Sequence, residues 1–363
     1  MPNSIQRAVE VLKAGGLVAM PTETVYGLAA DANNVSAINK IFSSKGRPSV
    51  HPLIVHIAQP ELNMASDQQA NSVAWREILS QWSRDVSPEA LILANEFWPG
   101  PLTMILPKAK NVLLEVTGGQ ETIGIRCPQH PIAQHLLKEF GGGLAAPSAN
   151  RFGRISPTTA EHVREEFPGD DVLVLDGGPC DVGIESTIVD LTRLDSHNAV
   201  ILRPGAITQT MINQALNRNG DTDGIAVNTA STTSTSNISV PRVSGSLSAH
   251  YAPKTKLLVY DPKNLKSLFL EINGTSGLKQ LAWVHFQNAQ LDKKSGKELK
   301  LTNVVKELVL PVESKTLARE LYALLRQLDG LNLDCIFFEQ LPDGIEWDAI
   351  RDRLGRASTG SGM

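Results

Sequence analysis

Hydroxyl groups and one carboxylate follow the short apolar run Leu17–Met20 directly. They lie in the segment PTETVYGL, residues 21–28. Because Pro21 has no amide hydrogen and biases Met20 toward an extended conformation, a strand should end there and release the polar residues into a cleft. Open α/β sheets bind ligands in such crevices at strand ends. An ordinary polar turn between a strand and a helix is the alternative interpretation.

Two cations, Lys45 and Arg47, flank Gly46 between an apolar helix pattern and the apolar segment 53–57. Gly46 allows this loop to approach a ligand closely. Arginine offers a planar fork to phosphate oxygens and lysine a compact charge, so the pair suits a polyphosphate better than a lone carboxylate. A solvated surface pair is the alternative, since short motifs produce many false matches.

Small and hydroxylated residues at 146–150 and 156–159 precede another helical pattern. Helix N-termini and turn amides bind anions, and Ser148 and Ser156 could add hydroxyl donors. Ordinary turn and capping chemistry would explain the same residues. The preceding glycine triplet, 141–143, is not a Walker loop, because no Lys-Ser or Lys-Thr follows it. A bound nucleotide would therefore need cations from elsewhere.

Three further polar positions lie at the ends of strand candidates, namely Arg126, Ser186 and Arg203, and each could equally be structural. His51 and His56 are an odd number of residues apart and would face opposite sides of a regular strand, which argues against a metal pair. The sequence has no nucleophile elbow and no clustered His and Cys ligands. Covalent hydrolases and zinc enzymes therefore receive little support.

The composition restricts the class of protein. A chain of 363 residues predicts two domains, and a net charge of -4 with scattered basic residues is unlike a strong nucleic-acid binder, although weak RNA contact stays open. Three isolated cysteines suit a reducing compartment. No apolar run approaches the roughly 20 residues of a membrane span. We therefore expect a cytoplasmic protein without membrane contact.

The coarse pattern predicts an α/β architecture with a mixed sheet. Strand candidates lie at 53–57, 102–106, 123–126, 172–175 and 187–191. Segment 61–97 is mostly helical in pattern, and its tryptophan and leucine stripe is typical of a core. The segment 219–239 is rich in Thr, Ser, Asn and Gly, which predicts a flexible connector. Strands and a leucine-rich helix beyond it indicate a small doubly wound domain.

Seven ordered segments resemble the threonylcarbamoyl-AMP synthase family and its YrdC-like domain. They are PTETVYGLAADA, KGRPSVHPLIVHI, FWPGPLTMIL, IGIRCPQHP, APSANRFGRISPT, GIESTIVD and ILRPGAI. The later run SGSLSAHYAP resembles the interdomain segment of the family's long form. The resemblance implies a YrdC-like twisted mixed sheet at 1–215 and a smaller Rossmann-like domain at 254–356. The residues between them, 216–253, are expected to form a flexible linker and a lid, and the tail 357–363 is expected to be disordered.

The same resemblance implies a nucleotidyltransferase that condenses L-threonine, bicarbonate and ATP to threonylcarbamoyl-AMP and pyrophosphate. The product would pass to a separate complex that makes threonylcarbamoyladenosine beside the anticodon of tRNA. Mg²⁺ would accompany ATP, with no metal site of the protein's own and no tightly bound organic cofactor. Such a reaction needs no enzyme nucleophile, because the threonine amine becomes a carbamate that attacks the α-phosphate.

The resemblance also implies roles for individual residues, with Lys45 and Arg47 as the catalytic cations. The nucleotide would be bound by Lys45, Arg47, His51, Ser148, Asn150, Ser156, Arg203, His250 and Tyr251. Threonine would be surrounded by Thr24, Tyr26, His56, Thr103, Arg126, Ala146 and Ser186. Two features depart from the family pattern: His51 replaces a usual Asn, and the stretch 60–97 is longer than usual.

Two alternative functions stay open on the sequence alone. An RNA-binding or ribosome-assembly module could share the concave fold, because a fold does not determine function. The carbamoyltransferase that matures hydrogenases contains a related domain, but its zinc ligands cannot come from three isolated cysteines.

Overall fold

The chain forms two compact units in a computed structural model that describes residues 2–61, 68–169, 172–193, 198–217, 226–229, 240–264, 280–286 and 303–362. The first unit comprises Met1–Phe152 and Ser156–Ser246, and the second comprises Gly153–Ile155 and Leu247–Met363.

The first unit contains eight helices and ten strands in its described part. The helices are α1 Pro2–Lys13, α2 Val35–Lys45, α3 Gln68–Leu79, α4 Pro88–Phe97, α5 Leu114–Thr117, α6 Pro131–Phe140, α7 Ala160–Glu166 and α8 Gln209–Asn217. The strands are β1 Leu17–Met20, β2 Gly27–Asp31, β3 Ile54–His56, β4 Leu102–Pro107, β5 Thr122–Arg126, β6 Leu144–Ala145, β7 Val172–Val174, β8 Thr187–Asp190, β9 Asn198–Arg203 and β10 Ala226–Thr229.

The ten strands form one mixed sheet in the order β10-β9-β8-β4-β5-β3-β6-β2-β1-β7. Strand β5 pairs antiparallel with β4 and parallel with β3, so the sheet is mixed at its centre. Strands β4 and β5 are buried along almost their whole length, as expected where both faces of the sheet are covered. Polar residues therefore concentrate at the strand ends, where the chain leaves the sheet.

Helix α2 ends in a way that fixes the Lys45 and Arg47 pair. Gly46 takes a left-handed conformation with φ of 63°, and backbone amides at the helix end bond to Phe42 and Ser43 carbonyls. A residue with a Cβ adopts this conformation only with strain, which glycine avoids. The turn places Lys45 in the last helical turn and Arg47 just beyond it.

The aromatic stripe of segment 61–97 belongs to the core, as the sequence predicts. Trp75 and Leu79 on α3 are fully buried, and Trp82 follows them into the same apolar cluster. Helices α3 and α4 account for most of this segment, whereas residues 62–67 lie outside the described ones. Helix α3 and the residues that follow it therefore contribute to the core of the first unit.

The second unit is a parallel α/β domain. Its strands are β11 Lys256–Tyr260, β12 Leu281–Phe286, β13 Val304–Leu310 and β14 Cys335–Glu339, in the order β11-β14-β12-β13. The helices are α9 Ser314–Asp329 and α10 Asp348–Gly360. All three strand pairings are parallel, which confirms the predicted small doubly wound sheet.

The boundary of the first unit differs from the predicted one. The connector was expected at 216–253, but α8 continues to Asn217 and β10 pairs in parallel with β9. Short strands in a polar segment carry little apolar signal, which explains why composition missed β10. The rest of the expected flexible run, 218–225 and 230–239, lies outside the described residues.

The expected disordered tail is largely helical, because α10 continues through Gly360. Ala357 is fully buried, and Ser358 Oγ donates to the Leu257 carbonyl at 2.9 Å. A Cβ added at Gly360 would come within 3.0 Å of the Ala252 Cβ. The small residues of this tail therefore permit close packing within the second unit. Among the described helices, none is long and apolar enough to cross a membrane.

Candidate functional site

Three predicted residues lie side by side across the centre of the large sheet. Thr103 on β4 is the register partner of Arg126 on β5, and Arg126 is in turn the partner of His56 on β3. Register partners on neighbouring strands present their side chains to the same face. All three side chains are buried. The sheet thus gathers a hydroxyl, a guanidinium and an imidazole in one row.

Arg126 is bound on two sides by the loop that follows β1. Its Nη2 donates to Glu23 Oε1 at 2.6 Å, and its Nη1 donates to Thr24 Oγ1 at 2.8 Å. The Nε atom is buried and has no hydrogen-bond partner in the structure. Buried N–H groups are rarely left unpaired. This donor is therefore available for an oxygen atom of a ligand.

The loop itself is fixed by two threonines. Thr22 Oγ1 donates to the Val25 carbonyl at 2.6 Å and lies 2.9 Å from Thr24 Oγ1. Because a hydroxyl has one hydrogen and Thr22 uses its own on Val25, Thr24 must donate to Thr22. Thr24 therefore presents lone pairs to Arg126, and the turn holds the guanidinium by accepting its hydrogen bond.

A second group of polar contacts continues from Thr103. Its hydroxyl lies 2.8 Å from Ser186 Oγ, which also accepts from Arg203 Nη2 at 3.1 Å. Arg203 Nε donates to the Ser186 carbonyl at 3.0 Å. The side chain of Ser186 thus links the row that contains Thr103 to Arg203, the arginine that the family resemblance assigns to the nucleotide.

Arg203 continues toward the Lys45 and Arg47 pair through Ser244. Arg203 Nη1 donates to the Ser244 carbonyl at 2.9 Å, and Arg47 Nη2 lies 3.5 Å from Ser244 Oγ. Arg47 also donates to the Pro52 carbonyl at 3.0 Å. Ser244 is missing from the predicted site, although its segment was expected to form a lid. The motif alone gave no sign that its carbonyl would bind an arginine.

Lys45 is buried in a cage of carbonyl oxygens. Its Nζ donates to the Ser148 carbonyl at 2.5 Å and also to the Asn150 carbonyl. Burial, with a smaller contribution from the Arg47 charge, holds the pKa of Lys45 well below its usual range. Phosphate oxygens nearby would favour the charged form again. Three of the nine residues predicted to bind a nucleotide, Lys45, Ser148 and Asn150, are thus brought together.

Hydrogen bonds connect the 148–157 loop, including Ser156, to Glu185 and to the backbone of Tyr26. Ser156 Oγ donates to Glu185 Oε1 at 2.6 Å, and Glu185 directly precedes Ser186. The backbone of Tyr26 bonds to both ends of the loop, through Ala149 at 2.8 Å and Pro157 at 2.9 Å. Within the described part of the chain, no three His, Cys, Asp or Glu residues form a metal-binding group.

The structure places some of the predicted residues in other environments. The Tyr26 hydroxyl donates to the Gly178 carbonyl at 2.7 Å and accepts from the Gly177 amide at 3.1 Å. Burial raises the pKa of Tyr26 to about 12, so it stays neutral. Its hydroxyl supports the 177–178 loop. Ala146 is buried and its amide bonds to the Ile54 carbonyl at 3.0 Å, so it offers mainly backbone.

His51 packs its ring against Phe152, with 5.4 Å between the ring centroids. Burial, with help from the Arg47 and Arg242 charges, lowers the pKa of His51. His250 and Tyr251 belong to the second unit, where the His250 Nδ1 accepts the Tyr251 amide at 3.0 Å. Their proposed role at the nucleotide stays a prediction from the resemblance.

The segment Val240–Ser246, here called the strap, is attached to the large sheet by one apolar side chain. Val243 is 4% exposed and packs with Ile105 and Ile188. Arg242 fixes the same segment, because its Nη2 donates to the Gly118 carbonyl at 2.8 Å and its amide to Gln120 at 2.7 Å. The strap thereby presents Ser244 to Arg47 and Arg203.

We expect Val243→Asp to detach the strap and lower turnover at least roughly tenfold, because a buried carboxylate without a partner is strongly unfavourable. Both arginines would lose the Ser244 contacts. Initial rates at saturating substrates measure the effect, and Val240→Asp is the matched control, since Val240 is 40% exposed on the same segment. Equal rates for the two variants would contradict a role for the docked strap.

His56 is a neutral member of the row. Burial and the Arg126 charge lower the pKa of His56 to about 3. The His56 imidazole binds a proton near pH 6.5 in the unfolded chain but not in the folded chain. The free energy of unfolding therefore decreases as the pH falls from about 6.5 to 3. We expect His56→Asn to remove about 2 to 3 kcal/mol of the stability loss between pH 7 and 4.5.

Urea unfolding at the two pH values checks this expectation. His135→Asn, at a histidine whose side chain is 55% exposed, is the control variant. An identical pH dependence in His56→Asn and the original chain would show that His56 accepts a proton in the folded state.

Comparison with known proteins gives a consistent result over both units. A family model described as telomere recombination, covering the Sua5, YciO and YrdC proteins, matches residues 10–205. A second model, described as the threonylcarbamoyl-AMP synthase C-terminal domain, matches residues 207–359.

Relatives that match along almost the whole chain are named as threonylcarbamoyl-AMP synthases. The threonylcarbamoyl-AMP synthases of Pyrococcus abyssi and Bacillus subtilis are 33% and 35% identical, each covering 98% of this chain and 94% and 93% of the relative. The crystal structure of P. abyssi Sua5 complexed with L-threonine is 32% identical, with a TM-score of 0.77, and the match covers 98% of this chain and 94% of that one.

Proposed function

Because this chain belongs to the threonylcarbamoyl-AMP synthase family, we propose that the row around Arg126 and the cage around Lys45 are the two halves of its active site. The chain is a nucleotidyltransferase that condenses L-threonine, bicarbonate and ATP to threonylcarbamoyl-AMP and pyrophosphate. This reaction is the first step toward threonylcarbamoyladenosine in tRNA. The observation that supports the assignment of the halves is that Arg126 is the register partner of Thr103, from which polar contacts continue through Ser186, Arg203 and Ser244 to Arg47.

The row around Arg126 is the threonine half. The free Nε of Arg126 is a donor for the threonine carboxylate, since arginine forms short charge-assisted bonds with carboxylate oxygens. Thr103 and Ser186 offer hydroxyls that can exchange hydrogen bonds with the threonine side chain. His56 is uncharged and closes the row without adding a second cation. The threonine-bound relative is consistent with this assignment.

The cage around Lys45 is the phosphate half. Lys45, Arg47 and Arg203 supply cationic donors, and Ser148, Asn150 and Ser156 lie on the loop that Lys45 binds. Cations aimed at the phosphates stabilise the charge that develops during phosphoryl transfer. Mg²⁺ arrives with ATP as part of the substrate, because its preferred partners are phosphate oxygens and water.

The reaction proceeds without an enzyme nucleophile. The threonine nitrogen forms a bond to the carbon of CO₂ derived from bicarbonate and loses a proton, and the carbamate oxygen then attacks the α-phosphorus as the bond to pyrophosphate breaks. The buried cysteines suit this route, because burial raises the pKa of Cys127 to about 12 and also raises that of Cys180. Holding the reactants in line supplies roughly 7 to 11 kcal/mol of the barrier reduction.

Separation of nucleotide products tests the proposal. The enzyme, ATP, Mg²⁺ and bicarbonate are incubated with each amino acid in turn, and pyrophosphate release is measured in parallel. We expect a threonine-dependent adenylate to form together with pyrophosphate. The rival RNA-binding function predicts no such product and a gel shift with RNA at physiological salt. Transfer of the product to a tRNA-modifying complex and a cytoplasmic location remain parts of the proposal.

A further inference from the structure

We propose that Glu23 positions Arg126 and balances its charge, so that the threonine half prefers a zwitterionic amino acid over an anion of the same shape. This inference rests on the proposed role of Arg126. Glu23 was not among the predicted site residues, although it lies within the PTETVYGL segment.

The Glu23 carboxylate is fixed at both oxygens. Oε1 accepts from Arg126 at 2.6 Å, and Oε2 accepts the Gln129 amide at 3.0 Å. Its backbone carbonyl also accepts the Val182 amide at 2.7 Å. Glu23 is 3% exposed and Arg126 is 4% exposed, so the pair is desolvated. A carboxylate held in this way restricts the guanidinium to one orientation.

Net stabilisation is a weak explanation for this pair. Replacing a buried ion pair with apolar residues is often neutral or stabilising, because the cost of desolvation offsets the attraction. A purely structural arginine would also be expected to satisfy its buried donors, whereas the Nε of Arg126 has no partner. The arrangement leaves one donor of a fixed guanidinium for a ligand, which is the requirement for a positioning role.

The balance of charge defines the ligand class. Arg126 carries one positive charge and Glu23 one negative charge, and the low pKa of His56 keeps its ring neutral. The row is therefore close to neutral overall and matches an amino acid that carries one charge of each sign. An anion without the ammonium group would leave one uncompensated negative charge in this desolvated row.

The test compares two ligands and four proteins by calorimetry. The ligands are L-threonine and 2,3-dihydroxybutanoate, which has a hydroxyl in place of the ammonium group. The proteins are the original chain, Glu23→Gln, Glu23→Asp and the control Glu139→Gln, whose side chain is 56% exposed. Glutamine keeps an acceptor oxygen for Arg126 but removes the charge.

We expect Glu23→Gln to weaken threonine binding roughly 10- to 100-fold and dihydroxybutanoate binding less than about threefold. Glu23→Asp keeps the charge and should retain the preference for threonine with weaker overall binding. Equal weakening of both ligands, or no change, would overturn the proposal. If Glu23→Gln does not fold, the ratio of the two affinities in Glu23→Asp decides, because a lost preference there also overturns it.

Failure of the proposed function has a different result. An original chain that neither binds threonine nor releases pyrophosphate with it would refute the assignment of the site. An active original chain with an unchanged Glu23→Gln variant would refute only the role of Glu23.

Discussion

Arg126→Lys is expected to raise the KM for threonine by roughly 100-fold while the KM for ATP changes less than about twofold. Lysine keeps the positive charge, but its three donors radiate from one nitrogen and do not reproduce the planar fork that serves Glu23, Thr24 and the ligand from separate atoms. The effect should fall mainly on threonine, because the side-chain hydrogen bonds of Arg126 go to Glu23 and Thr24 rather than to the Lys45 and Arg47 pair.

Initial rates with each substrate varied in turn measure the two constants. Arg84→Lys is the matched control, since Arg84 is 57% exposed and lies 3.5 Å from Glu121 on the surface. An unchanged dependence on threonine in Arg126→Lys would contradict the assignment of the carboxylate to this residue. A parallel rise in both constants would show that the variant disturbs the whole sheet rather than one half of the site.

Lys45→Met is expected to lower turnover roughly 1000-fold and the free energy of unfolding by about 2 to 4 kcal/mol. Methionine fills a similar volume but donates no hydrogen bond, so the Ser148 and Asn150 carbonyls lose their partner. The phosphates would lose a cation at the same time. Both effects arise from one atom, the Nζ of a fully desolvated side chain.

The control for Lys45→Met lies on the same helix. Lys40 Nζ donates to one carbonyl, that of Gly15, at 2.7 Å, and Lys40→Met should affect stability slightly and turnover not at all. Rates are measured well below the unfolding temperature of each variant. A stable Lys45→Met protein with normal turnover would refute the phosphate role. A destabilised protein with normal turnover would show that Lys45 serves only the loop.

The sequence predicts the elements of the site better than the distances among them. Leu102–Pro107 and Thr122–Arg126 are recognisable as strands from their apolar runs and bounding prolines and glycines. The register between these strands cannot be predicted from the same runs, because it depends on side-chain packing across the sheet. The proximity of Thr103, Arg126 and His56 therefore had to come from family resemblance rather than from periodicity.

Glu23 shows why one residue of the cluster was missed. Its partner Arg126 lies 103 positions away, and nothing in the local pattern distinguishes a paired carboxylate from a solvated one. Tyr26 is the opposite case. It was predicted as a site residue from the PTETVYGL segment, but its hydroxyl binds the 177–178 loop. Local sequence indicates which side chains are available, and long-range pairing decides which of them face the ligand.

Long-range pairing also determines when the enzyme can begin to work during its synthesis. The contact between Arg47 and Ser244 joins positions 197 residues apart, and the contact between Thr24 and Arg126 joins positions 102 apart. Chains emerge from the ribosome in order, and distant contacts form only after the intervening residues are available. A nascent chain that ends before Ser244 thus lacks one contact of each of Arg47 and Arg203. On the proposed assignment, nearly all of the first unit must leave the ribosome before the phosphate half is complete.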